Sequence, residues 1–192
     1  MINASIQRIT GRNNFSRGKR TVRPDAVTRA IYFIPTLFFL TIGTAMGDTS
    51  MKITSPDFEP NGSIPKKFTC QGEDVNPALL IEGVPQQAKT LALIMDDPDA
   101  PMGTWVHWVV YNIPVTSKIE ENSVPGEQGS NNFGKQDYGG PCPPSGTHRY
   151  FFKLYALDAR LDLQGKVDKK ALERALEGHI LDKAEIIGMY KK

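Results

Sequence analysis

Three aspartates and two histidines are the residues of this chain whose types and spacing suit acid–base or binding chemistry. The aspartates lie in the segment M-D-D-P-D-A-P and are Asp96, Asp97 and Asp99. Pro98 and Pro101 fix their own φ angles and restrict the residue before each of them, so the three carboxylates are held in a stiff loop. Asp-Pro pairs also start many ordinary turns, so a purely structural interpretation of the aspartates remains open.

The histidines are candidates for the same site, because each lies at or near the start of a predicted strand beside a stiff loop. His107 lies in the apolar run W-V-H-W, and His148 follows the proline-rich run G-P-C-P-P-S-G-T. The third histidine, His179, follows a predicted helix and is expected at the surface. A cluster of Asp97, His107 and His148 that merely satisfies its own hydrogen bonds is the alternative to a functional site.

Two histidines and one carboxylate are compatible with three kinds of chemistry. They match the ligands of a facial-triad metal site, but no close spacing such as H-x-D or H-E-x-x-H is present. They can act as base and orienting acid in hydrolysis, but there is no G-x-S-x-G motif and Ser145 has no supporting pattern. They can donate imidazole N–H groups to an anion, although the glycine-rich phosphate loops are absent.

Charge is distributed unevenly along the 192 residues, whose formal net charge is +2. Residues 1–29 carry seven basic side chains and one acid, whereas residues 48–192 carry sixteen basic and twenty acidic side chains, a balance of −4. A domain that binds nucleic acid normally shows a basic footprint. The mildly acidic body therefore argues against a nucleic-acid partner.

The N-terminal segment has the pattern of a secretory signal peptide. A basic stretch precedes the uncharged residues 30–44, and the small residues Ala45 and Gly47 fit a cleavage site before Asp48. We therefore expect residues 1–47 to be a signal peptide and the mature protein to be periplasmic or secreted. Two alternatives remain: an uncleaved membrane anchor, or a cytoplasmic protein whose translation starts at Met46 or Met51.

The body has two cysteines, Cys70 and Cys142. An even number of cysteines in an oxidising compartment predicts a disulfide, with two free buried thiols as the alternative.

Short apolar runs between Gly, Pro, Asn and Asp turns favour a mostly β domain. Strands are predicted over residues 90–95, 105–113, 149–157 and 184–190, with long loops over 66–77 and 122–147. A helix is expected between its N-cap Asp168 and its terminator Gly178. Strand alternation places His107 on one face with Trp105, Val109 and Tyr111, and places His148 on the same face as Tyr150 if its strand extends back that far.

Three motifs in order resemble the phosphatidylethanolamine-binding protein family, also called the Raf kinase inhibitor-like family. They are D-P-D-A-P at residues 97–101, H-W at 107–108 and G-P-x-P-P-x-G-T-H-R-Y at 140–150. The resemblance covers about 140 residues in order and is greatest to the compact bacterial and archaeal branch. It implies that residues 48–192 form one domain, with a large central antiparallel β-sheet packed on a smaller sheet and one or two short helices.

The resemblance also implies a small anion pocket at one end of the large sheet. Its ligand-binding residues would be Asp97, His107, Gly140, Pro141, His148 and Tyr150. Asp99, Pro101 and Arg149 would brace the neighbouring loop, with Arg149 pairing to Asp99.

The leading functional hypothesis is a non-enzymatic binding protein for a small anionic ligand, such as a phosphorylated head group. The alternatives are an interaction protein that inhibits a protease or kinase, and a metal-dependent or hydrolytic enzyme that uses Asp97, His107 and His148. No cofactor, resident metal or catalytic residue is expected. The oligomeric state stays open, with a homodimer as one candidate.

Overall fold

The structure, a computed structural model, describes residues 50–192 and Thr21. The predicted signal peptide and its cleavage site lie outside the described residues. Eight strands, one α-helix and one 3-10 helix form within them. They are β1 (Lys52–Thr54), the 3-10 helix (Lys66–Phe68), β2 (Leu79–Glu82), β3 (Thr90–Asp97), β4 (Trp105–Pro114), β5 (Lys118–Ile119), β6 (Glu127–Gln128), β7 (Thr147–Leu157), α1 (Lys169–Leu176) and β8 (Ile180–Lys191).

The strands form two antiparallel sheets. The large sheet has the order β6-β4-β3-β7-β8 and the small sheet the order β1-β2-β5. The loop 98–104 joins β3 directly to its antiparallel neighbour β4, whereas the other paired strands are joined through longer segments. The predicted fold class, a large antiparallel sheet packed on a smaller one with few helices, is confirmed.

Both faces of the large sheet are covered, so its central strand β3 is buried along its whole length. One face packs on the small sheet through residues such as Leu93, Trp108 and Phe152. The other face packs on α1 through Ile94 and Leu172. This double cover explains the near-continuous apolar runs of β3 and β4, which carry no simple alternation.

Helix α1 begins and ends where its capping residues predict. The Asp168 carboxylate accepts a hydrogen bond from the backbone N–H of Ala171 at 2.8 Å, which satisfies one of the free donors of the first turn. Gly178, with φ of +81°, follows the last helical turn. Leu172 and Leu176 are the buried stripe that holds the helix on the sheet.

Strand β8 is longer than predicted, because it begins at Ile180 rather than at residue 184. Its first four residues combine two exposed apolar side chains, Ile180 and Leu181, with Asp182 and Lys183, and the strand pairs with β7 at the edge of the sheet. Exposed edge positions tolerate polar side chains on both faces, so the apolar alternation that reveals a strand is missing there.

Strand β4 contains two irregularities that change which way its side chains face. Met95 of β3 pairs with Trp108 and the next residue, Asp96, pairs with Val106. His107 of β4 therefore has no partner in β3 and is the extra residue of a bulge. A second shift lies near Asn112, whose φ is +53°. Among the described residues, no helix is long and apolar enough to cross a lipid bilayer.

Candidate functional site

Strand β3 runs antiparallel to both β4 and β7. The C-terminal end of β3 therefore lies beside the N-terminal ends of β4 and β7, at one end of the large sheet. A pocket of about 360 Å³ opens there. Four polar side chains and a mostly apolar rim line it. The lining residues are Asp97, Ala100, Pro101, Met102, Trp105, His107, Phe133, Cys142, Pro143, Pro144, His148 and Tyr150.

Asp97 and His148 form a buried pair at the base of the pocket. His148 Nδ1 lies 2.7 Å from Asp97 Oδ2, and the two residues are 7% and 3% exposed. Because a carboxylate only accepts, Nδ1 carries the proton and donates it. The second Asp97 oxygen accepts from the backbone N–H of Asp99 at 2.8 Å. His148 is therefore held in one orientation, with Nε2 not engaged by the carboxylate.

His107 is fixed in a similar way by the backbone. Its Nδ1 donates to the Gly139 carbonyl oxygen at 2.6 Å. The ring packs edge-on against Tyr150 and Phe133, at centroid distances of 5.2 Å and 5.3 Å. Burial lowers the pKa of His107 below its ordinary value, so at neutral pH the imidazole is uncharged and Nε2 is an acceptor.

The predicted grouping of His107 with Val109 and Tyr111 on one face of β4 is wrong, because the strand contains a bulge. Val109 and Tyr111, expected beside it, pack instead in the cluster under α1. His107 contacts Tyr150, which belongs to the opposite core between the two sheets. An extra residue reverses the strand's alternation, so a face assigned by counting back from Val109 is wrong beyond the bulge.

The Tyr150 hydroxyl is the least satisfied polar group of the site. The residue is fully buried, and within residues 50–192 its hydroxyl forms no hydrogen bond of good geometry, although the Asp97 carboxylate and the Cys142 backbone lie close to it. Burial raises the pKa of the phenol, and the negative charge of Asp97 raises it further, so the group stays protonated. A buried hydroxyl without a partner is costly unless something else accepts a hydrogen bond from it.

Asp99 and Arg149 brace the loop beside the pocket. The guanidinium donates twice to the Asp99 carboxylate, at 2.9 Å and 2.7 Å, and the Arg149 backbone N–H donates to it at 3.0 Å. These bonds lower the pKa of Asp99 to about 2. Pro101, in the same loop, lines the pocket.

Gly140 and Pro141 do not line the pocket, contrary to the expectation that they form its wall. Cys142, Pro143 and Pro144 take that place. Gly140 lies behind the wall, where its N–H donates to Asp74 and an added Cβ would lie 2.5 Å from the Phe68 carbonyl oxygen. Its lack of a side chain serves close packing of two loops. The Pro141 carbonyl accepts from the Cys70 N–H in the same layer.

A disulfide joins Cys70 to Cys142, with a Cα–Cα distance of 5.5 Å. The predicted bridge is therefore present. It ties the segment that follows the 3-10 helix to the wall of the pocket, because Cys142 is itself a lining residue.

The three clustered aspartates do not act together. Asp96 points to the α1 side of the sheet, where Lys153 and Lys169 donate to its fully buried carboxylate. Only Asp97 reaches the pocket, since successive side chains of a strand face opposite sides. Within residues 50–192, no three His, Cys, Asp or Glu side chains converge in a way that could hold a metal ion.

Sequence reasoning missed part of the aromatic rim of the pocket. Trp105 and Phe133 meet edge-on at 5.5 Å beside His107. Phe133 comes from the long loop before β7, where Asn131 holds a local turn by accepting from the Phe133 and Lys135 N–H groups. Strand alternation placed Trp105 beside His107, but no periodicity or motif pointed to Phe133.

Comparisons with known proteins agree with one another. A family model described as phosphatidylethanolamine-binding protein matches residues 54–191. A UPF0098 protein of Methanothermobacter thermautotrophicus is 48% identical over 150 residues, which cover 74% of this chain and 99% of that protein. Two crystal structures are similar to this fold. The first, a phosphatidylethanolamine-binding protein homologue from Chlamydia trachomatis, has a TM-score of 0.73 and 42% identity and covers 75% of this chain and 99% of its own. The second, an Escherichia coli protein described as a new member of the mammalian family, has a TM-score of 0.69 and 28% identity, with coverage of 74% and 99%.

Proposed function

Because the chain belongs to the phosphatidylethanolamine-binding protein family, we propose that it binds the phosphate-like, anionic part of a small ligand in the pocket between Asp97, His107, His148 and Tyr150. The observation that carries the proposal is the Tyr150 hydroxyl, a buried donor that forms no hydrogen bond of good geometry within residues 50–192. An anionic oxygen in the pocket would accept a hydrogen bond from it. Charge-assisted hydrogen bonds of this kind are stronger than neutral ones.

The two imidazoles make the binding depend on protons. With Nδ1 of each ring donating to Gly139 or Asp97, only Nε2 remains to face a ligand, and it is an acceptor while the ring is neutral. Protonation turns Nε2 into a donor and adds a positive charge. Because burial lowers the pKa of His107, we expect affinity for anions to rise as the pH falls below about 6.5, the ordinary histidine value.

The pocket wall supports a binding role rather than catalysis. Among its lining residues, Cys142 is held in a disulfide, and serine and lysine are missing from the described lining. His107 and His148 therefore have no serine or threonine hydroxyl, free thiol or amine beside them to activate as a nucleophile, and the phenol of Tyr150 is held protonated by its raised pKa. The apolar rim of Trp105, Phe133 and Pro144 suits the uncharged remainder of an amphipathic ligand.

We further propose that the protein works outside the cytoplasm, in the periplasm or as a secreted protein. The signal-peptide pattern of residues 1–47 supports this location. The Cys70–Cys142 disulfide also supports it, since such bonds persist in oxidising compartments.

The test of the pocket is Tyr150→Phe, which deletes one oxygen and keeps the ring. Titration calorimetry with inorganic phosphate and with phosphoethanolamine, between mildly acidic and neutral pH, should show binding that is weakened by about tenfold or more in the variant. Tyr155→Phe, on the α1 side of the same strand, is the matched control and should bind as the wild type does.

Urea unfolding separates a ligand role from a structural one. Since the Tyr150 hydroxyl forms no hydrogen bond of good geometry within residues 50–192, its removal should leave the unfolding free energy of the ligand-free protein unchanged or slightly raised. Loss of stability with unchanged anion affinity would contradict the proposal. So would the absence of anion binding at every pH tested.

A further inference from the structure

The outer edge of β8 is open along its first half. β8 ends the large sheet, and residues 61–64 cover only its second half, where Asn61 donates to the Ile187 carbonyl and Met189 bonds to Gly62 and Ile64. From Ile180 to residue 186, no strand within residues 50–192 bonds to the backbone of that edge; the Met51 N–H donates there at 2.7 Å, but to the side-chain carboxylate of Asp182 on the small-sheet side. Open strand edges are templates for pairing with another chain.

The backbone groups of Lys183 and Glu185 point out from this edge. Ile187 and Met189 direct theirs outward, as their bonds to residues 61–64 show. Alternate residues of a strand direct their N–H and C=O groups to the same side, and the register from 183 to 189 has no irregularity. The Lys183 N–H contacts the carboxylate of its neighbour Asp182 at 2.7 Å, a local contact that a carbonyl of another strand can replace.

The side chains at these two positions are complementary. Lys183 and Glu185 oppose Tyr155 and Lys153 of β7, so both lie on the α1 side of the sheet, and both are exposed. Neither forms an ion pair within residues 50–192. A copy of this edge that runs antiparallel about Ala184 would place each lysine opposite the glutamate of the other copy.

Only this register satisfies both the backbone and the charges. A two-fold axis at Lys183 would set that lysine against itself. An axis at Glu185 would set two glutamates together and would require the Ile187 edge, which Asn61 already occupies. An axis between two residues would pair outward-pointing backbone groups with inward-pointing ones. The axis at Ala184 gives two hydrogen-bonded pairs, and each of them joins opposite charges.

We propose that residues 182–186 of β8 are a homodimer interface, in which two copies pair antiparallel about Ala184 and join their large sheets into one. The paired stretch is five residues long, with exposed Ile180 and Leu181 beside it at 44% and 40% exposure. Such a short interface predicts a weak dimer whose population depends on protein concentration. The anion pocket lies at the ends of the inner strands β3, β4 and β7, and not along the β8 edge. The proposed interface therefore does not depend on the proposed function.

Sedimentation velocity of the purified full-length protein over a range of concentrations tests the interface. Lys183→Glu and Glu185→Lys each turn two attractive pairs into repulsive ones, so each should weaken self-association by about tenfold. An equimolar mixture of the two variants should recover the wild-type association, because every pair across the interface is then again one lysine and one glutamate. Lys170→Glu, on the exposed face of α1, is the control and should associate as the wild type does.

A cross-link reports the register directly. Ala184 would lie opposite its own copy in a non-hydrogen-bonded pair, where Cα atoms are about 4.5 Å apart. Oxidised Ala184→Cys should therefore run as a covalent dimer on a non-reducing gel, whereas Lys170→Cys should not. A monomer at all concentrations would overturn the proposal. A dimer that neither charge reversal weakens, or a mixture that fails to recover association, would overturn it as well.

Discussion

The Cys70–Cys142 disulfide offers a stability prediction that can be calculated from the chain. Replacing both cysteines with serine removes a cross-link between residues 72 positions apart. The chain-entropy relation, −2.1 − 1.5R ln n, then gives about 15 cal/mol/K, or about 4.4 kcal/mol at 25 °C. Because domains are stable by about 5–15 kcal/mol, this is a large share of the total.

The assay is equilibrium urea unfolding of the oxidised wild type and of the double variant. With an m value of about 2 kcal/mol/M, the loss should lower the midpoint by about 2 M. Reduced wild type is the internal control, since opening the bridge with dithiothreitol removes the same constraint. Its midpoint should match that of the double variant.

Two results would refute this reasoning. One is a midpoint that moves by less than about 0.5 M, which would mean that the bridge restricts the unfolded chain little. The other is a large loss in the double variant without a loss on reduction, which would place the effect in the serine side chains. Because Cys142 lines the pocket, the same samples should also bind phosphate more weakly than the oxidised protein does.

Three further predictions concern the loop brace, the helix and the N terminus. Arg149 holds the pKa of Asp99 at about 2, below the ordinary 3.8, so the pair stabilises the fold above about pH 4 and that stability is lost as the pH falls towards 2. Arg149→Met should therefore lower the urea midpoint at neutral pH and leave it unchanged at the acid end of this window. Leu172→Ala leaves a cavity at a fully buried site under the sheet, so it should lower the unfolding free energy by about 2–5 kcal/mol in thermal unfolding. A loss no larger than that caused by alanine at an exposed position would contradict this packing. N-terminal sequencing of the protein from its native host should start at Asp48, and an intact N terminus would contradict export.

Local sequence patterns were sufficient to predict the elements that depend on neighbours along the chain. Strands β3, β4 and β7 are apolar runs between turn residues. Helix α1 lies between Asp168 and Gly178, and each of these residues acts only on the helical turn next to it. The motifs around Asp97, His107 and His148 placed these residues in one pocket only through the family resemblance. Their spacing alone left metal binding, hydrolysis and anion binding open.

The tertiary structure decided which way the site residues face and what surrounds them. The bulge at His107 depends on how β4 pairs with β3, and pairing between strands is not visible in the alternation of a single strand. Phe133 reaches the pocket because its loop folds over β4, and Gly140 lies behind the wall because two loops pack there. These contacts join residues far apart in sequence, so they depend on the packing of the whole domain, whereas caps and strand periods depend on side chains within a few residues.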